Sequence, residues 1–130
     1  MIIEVYELDV SLTTNFVKFC CDELGVYPEL ITIEGWETPL KDGALGLCYE
    51  ANSKEDYVIM ALTKNRNTTQ IYNTIAHEMI HVKQFMTQNL SENVCTENKP
   101  VYTERWYEIE AEKNSFELVK KYVDILYNAV

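Results

Sequence analysis

Basic residues are scarce in this chain: 11 Lys and Arg stand against 21 Asp and Glu, a formal net charge of −10 over 130 residues. Phosphate backbones are bound by basic surfaces, so this balance argues against nucleic acid as a ligand. It fits a solvated acidic surface, a cationic substrate or mimicry of DNA. Long apolar runs are also missing. None approaches the roughly 20 residues needed to span a bilayer, so no membrane partner is expected. The opening Met1-Ile2-Ile3-Glu4-Val5-Tyr6-Glu7 lacks a basic segment and is soon broken by acids, unlike a secretion signal. The four cysteines, Cys20, Cys21, Cys48 and Cys95, include an adjacent pair but no C-x-x-C spacing, which argues against a disulfide framework or a zinc knuckle. Free buried thiols in a reducing cytoplasm are the expectation. Repeats, low-complexity tracts and composition breaks are absent too, so residues 1–130 read as one domain, expected to be a monomer.

What is present suffices for a core: 47% of residues are hydrophobic and 25% charged, close to the average for a globular protein. Residues 2–8 read as a strand. Leu12, Phe16, Phe19, Cys20 and Leu24 recur at helical spacing, and Gly25 followed by Pro28 closes that helix. Leu30 to Ile33 reads as a second strand. Ala44 to Ala51 and Tyr57 to Thr63 read as a strand pair across a turn at residues 52–56. Tyr57 to Leu62 is apolar on both faces and should be a central, covered strand. A long helix is predicted from residue 68, capped by Asn67 with Gln70 completing a capping box. Its apolar stripe is Ile71, Ile75, Met79, Val82 and Met86. Residues 89–102 read as a loop long enough to rim a functional site. A last helix should run from about Glu104 to the C-terminus. The fold class is therefore α+β: a helix, a small sheet and two further helices.

The second helix carries His77-Glu78-Met79-Ile80-His81. At about 100° per residue the two histidines lie within roughly 40° of each other, one turn apart. That geometry lets two imidazole nitrogens meet one ion about 2.0–2.1 Å away. Thr74, Gln84 and Gln88 share their polar stripe, which borders the apolar one, so the histidines should face a groove at the edge of the core. Glu78 stands to one side, placed to take a proton from a water activated by zinc and to return it to a leaving amine. At frequencies of about 2% His and 6% Glu, H-E-x-x-H arises by chance in only a few per thousand chains of this length. Both histidines of the chain are in this motif, so no Ser-His-Asp or Cys-His site competes.

A catalytic zinc usually has three protein ligands. With no third histidine, the remaining one must be a carboxylate or a cysteine. The last helix offers Glu108-Ile109-Glu110-Ala111-Glu112. If Ile109, Phe116, Val119, Val123 and Leu126 define its buried side, with Tyr122 flanking, Glu108 and Glu112 project into that sector. Glu110 then faces the solvated side with Lys113, Glu117, Lys120 and Asp124. Two acids in an apolar sector need positive partners. Zinc on Glu108 and a histidine N–H on Glu112 would supply them; pairing with Arg105 is the plain alternative. Glu110 and Cys95 are weaker candidates for the third ligand.

At this point the chain resembles the HExxH zinc metallopeptidases of the gluzincin type, in which a glutamate on a later helix is the third ligand, often within E-x-x-x-D. His77 to His81 matches the first element; Glu108 to Glu112 resembles the second, with Glu112 where the family has Asp. The resemblance implies His77, His81 and Glu108 as zinc ligands, Glu78 as catalytic base and Glu112 as the carboxylate behind a ligand. The compact order of elements over residues 44–126 is similar to SprT-like and ImmA/IrrE-like minimal zincins, including small phage-encoded members. It implies a zincin-like fold and a peptide or protein substrate laid along Leu45 to Tyr49. Tyr102 and Tyr107 are candidates to stabilise the oxyanion. The expected activity is that of a cytoplasmic zinc endopeptidase. The rival expectations are a catalytically silent zinc-binding module, serving as a regulator or anti-repressor, and an acidic DNA mimic.

Overall fold

A computed structural model describes residues 1–90 and 105–128. The elements run β1 (Ile2–Tyr6), α1 (Val10–Leu24), β2 (Leu30–Trp36), a 3₁₀ turn (Lys41–Gly43), β3 (Gly46–Glu50), β4 (Asp56–Leu62), α2 (Thr68–Thr87) and α3 (Trp106–Asn128). Cys95, Tyr102, Glu104 and nearly all of the expected loop lie outside the described residues.

Local chemistry sets the ends of these elements. Asp9 caps α1 by accepting from the Leu12 N–H at 2.8 Å, and Gly25 ends it in the left-handed region at φ 69°. β1 stops at Tyr6, two residues before its expected end, because Glu7 turns the chain with a positive φ of 60°.

The four strands form one mixed sheet in the order β1-β2-β4-β3. β1 and β4 both run parallel to β2, and β3 pairs antiparallel with β4. In register, Ile31, Ile33, Tyr57, Ile59 and Ala61 share one side of the sheet and are fully buried with Phe16 and Val17 of α1 and Ile75 and Met79 of α2. β4 is internal, as its apolar character implied, and β3 is an edge strand. The opposite side of the sheet is more open, with Ile2, Tyr6, Trp36 and Tyr49 exposed.

α3 packs on α2 through a different face from the one its large apolar residues suggest. Tyr107, Ala111, Ser115, Leu118 and Val119 are buried, whereas Ile109, Phe116 and Leu126 are exposed. Small residues, Ala111 and Ser115, at the middle of the seam permit close helix approach, with Tyr107 at one end and Leu118 and Val119 at the other. The phase expected for α3 is corrected accordingly. Cys20 and Cys21 are buried free thiols, and burial pushes the Cys21 thiol up to about 12, with the Asp22 charge adding to it. Among the described residues, no helix is long and apolar enough to cross a membrane.

Candidate metal centre

Both elements of the capping box at the start of α2 form. Asn67 Oδ1 accepts from the Gln70 N–H at 2.8 Å, and Gln70 Oε1 accepts from the Asn67 N–H at 2.9 Å. Arg66 donates to the carbonyls of Leu62 and Gln70 and to Thr74 Oγ1, tying the end of β4 to the first turns of α2. With Ile75, Met79 and Val82 fully buried, the rotation of α2 is set, and His77 and His81 emerge at the border of the core. Their ring centroids lie 4.9 Å apart with the planes inclined at 78°.

Glu108, in the first turn of α3, enters from the opposite wall. Its Oε1 lies 3.4 Å from His77 Nε2 and closer still to His81 Nε2. One donor atom from each of His77, His81 and Glu108 falls within 4.8 Å of the others. Three lone pairs aimed at one point repel each other unless a proton or a cation stands among them. A proton partly answers this at His81. Burial alone pulls its pKa down, but the hydrogen bond to Glu108, the charges of Glu78 and Glu108, and the Gln84 contact together leave it raised. Two imidazole nitrogens and one carboxylate oxygen also form a donor set suited to a divalent metal ion.

No family model, curated protein or solved structure matches this chain.

Glu78 lies on the inner side of the helix, 5% exposed, and its Oε2 has no hydrogen-bond partner among the described residues. Burial raises its carboxyl pKa; the charges of His81 and His77 oppose the rise, and Glu108 adds to it. An orphaned, buried carboxylate oxygen next to converging metal donors is suited to exchanging a proton with a bound molecule.

The groove in front of these residues has a volume of about 800 Å³. One wall is Leu45 to Cys48, the other the start of α3 with Tyr107. Gly46 lets β3 come close to α2: a Cβ there would clash with Thr74 Cγ2 and stand 3.3 Å from Glu78 Cγ. Tyr107, a sequence candidate for oxyanion stabilisation, is in the groove wall, its ring centroid 6.2 Å from that of His81.

Two expectations on α3 need correction. Glu112 is exposed, and among the described residues no histidine contacts its carboxylate. Glu110 is half-buried rather than solvated: its Oε1 accepts from Gln84 Nε2 at 3.1 Å and lies 4.0 Å from Lys83 Nζ. Both errors follow from the misplaced phase of the helix. The residue behind His81 is instead Gln84, whose Oε1 lies 2.7 Å from His81 Nδ1. Gln84 stands three residues after His81 on the same polar stripe, so the signal was in the sequence, but its burial depends on α3.

Proposed function

We propose that the protein is a zinc-dependent metallopeptidase of the HExxH, gluzincin kind, with His77, His81 and Glu108 holding the ion and Glu78 as general base. The observation that carries this reading is the convergence of three donor atoms from two helices beside the unpartnered Glu78 oxygen. Zinc held there supplies Lewis acidity, polarising a carbonyl and lowering the pKa of water towards about 7.

The chain's own residues supply the rest. Glu78 accepts the proton of the attacking water and delivers it to the departing amine, and its raised pKa brings it nearer to neutral operation in both directions. β3, an edge strand on the groove, offers main-chain groups to an extended peptide, which favours a peptide substrate over a compact small molecule.

The test is hydrolysis of casein and a peptide library with added zinc, comparing wild type with Glu78→Gln. The amide is nearly isosteric and cannot take the proton, so zinc content should persist while hydrolysis falls at least about a hundredfold. His77→Ala, His81→Ala and Glu108→Ala should each release the metal, and Glu112→Ala should retain it. Wild type and Glu78→Gln equally inert with zinc bound would leave a zinc-binding interaction module as the better reading.

A further inference from the structure

We propose that Gln84 is the positioning residue of the metal centre, its side-chain amide fixing which nitrogen of His81 faces the ion. This rests on His81 being a metal ligand, and on nothing about hydrolysis.

Gln84 is fully buried in the seam between α2 and α3, where an amide is tolerated only if its polar groups are satisfied. Its Nε2 donates to the Tyr107 carbonyl at 2.9 Å and to Glu110 Oε1 at 3.1 Å. Its Oε1 lies 2.7 Å from His81 Nδ1. A carbonyl and a carboxylate can only accept, so the amide nitrogen must face them. Turning the amide over would set its oxygen against both acceptors. The group at the His81 end is therefore an oxygen, which also only accepts, and Nδ1 must be the nitrogen that carries hydrogen. In a neutral imidazole the other nitrogen then holds the lone pair. That nitrogen is Nε2, the one facing Glu108.

The competition at this ring makes the acceptor necessary. Glu108 on its own would draw the remaining proton onto Nε2, the atom the metal needs. Gln84 gives that proton a place on the opposite side of the ring. The same amide holds a second ligand in place, because the Tyr107 carbonyl it binds belongs to the peptide bond leading into Glu108. One buried side chain thus sets the ring of a ligand on α2 and the backbone of a ligand on α3.

The experiment uses the full chain and zinc alone, with affinity read by competition against a chelator. Imidazole proton exchange is read from ¹H–¹⁵N spectra of the zinc-loaded protein. In wild type the His81 Nδ1 proton should exchange slowly. Gln84→Leu should weaken zinc binding about 10–100-fold and speed that exchange. The paired swap Gln84→Glu with Glu110→Gln keeps the net charge and restores the acceptor alone: the carboxylate at position 84 accepts from Nδ1 and from the amide at position 110, while the Tyr107 carbonyl loses the Gln84 donor. It should recover slow exchange, with affinity recovering only in part because the peptide bond leading into Glu108 loses that anchor. Should Gln84→Leu fail to fold, the swap decides alone. Wild-type affinity and exchange in Gln84→Leu would overturn the proposal, as would a folded swap whose His81 Nδ1 proton exchanges as fast as it does in Gln84→Leu or, without that variant, clearly faster than in wild type. If wild type takes up no zinc, this assignment and the metal site fall together. If wild type binds and Gln84→Leu binds equally well, only this assignment falls.

Discussion

The carboxyl group of Glu78 is held where an ionised acid is least welcome, 5% exposed and with one oxygen lacking a hydrogen bond among the described residues. Burial lifts its pKa above the ordinary 4.5, against the pull of the two histidine charges. A group whose folded pKa is raised contributes its full stability below the unfolded value and loses it as pH rises through the folded value. At neutral pH the metal-free protein therefore bears the cost of this carboxylate. Glu78→Gln, the substitution that should abolish hydrolysis, should stabilise the metal-free fold by about 1–3 kcal/mol, a rise of several degrees in Tm. Thermal unfolding in the presence of a chelator measures it. A Tm equal to or below that of wild type would mean that the carboxylate is solvated or paired in the folded protein. Such an opposition between stability and activity is expected where a site is strained for its chemistry.

The elements differ in how far their sequences declared them. Most of α2 is legible in its sequence, since its cap, the buried Ile75, Met79 and Val82 of its stripe and the border position of the histidines follow from spacing within one helix, although Ile71 and Met86 at the ends of the stripe are only partly buried. Glu108 reaches the site although the face of α3 marked by its large apolar residues is not the one that packs on α2. Helical periodicity finds the side with large apolar residues, and here the contact with α2 is made at Ala111 and Ser115, leaving Phe116 65% exposed. The roles of Gln84 and Glu110 could not be read because they exist only once α3 lies on α2. Two substitutions test the corrected phase. Ala111→Leu should overpack the seam and cost about 1–3 kcal/mol, while Phe116→Ser should change stability by no more than about 0.5 kcal/mol. Denaturant unfolding of both proteins distinguishes the two faces, and the reverse ranking would restore the original phase. The approach of β3 to α2 is tested in the same way. A Cβ at Gly46 would meet Thr74 Cγ2 and stand 3.2 Å from the Met60 carbonyl oxygen. Gly46→Ala should lower stability by about 1–3 kcal/mol and reduce hydrolysis further than zinc binding, because the displaced contact adjoins Glu78 rather than the ligands. Equal losses of zinc binding and hydrolysis would contradict that local role.

At the scale of the whole molecule, the candidate ligands join two helices that are separate in sequence: His77 and His81 come from α2, Glu108 from α3. An ion bound there acts as a clip, and any ligand that binds only the folded chain adds stability, about 2.7 kcal/mol at a hundred times its Kd. Without metal, protons do part of this work. The pKa of His81 is raised above 6.5, so its contribution is fully present below 6.5 and is lost as pH climbs through the folded value. Glu78 has the same sign from a lower starting point. These two groups should therefore weaken the metal-free fold as pH rises above 6.5, the interval in which His81 gives up the proton its partners hold. Zinc runs the other way, since it must displace the proton at His81 Nε2, and its affinity grows as that proton becomes easier to remove. The difference in Tm between zinc-loaded and chelator-treated protein should consequently widen across the same interval at fixed zinc concentration. In His81→Ala the increment should be small and flat, because both the metal ligand and the titrating ring are gone. Differential scanning calorimetry at matched ionic strength measures both proteins. An increment that is large but independent of pH in wild type would mean that His81 releases no proton when metal binds, and the reading of Nε2 as a ligand would fail with it.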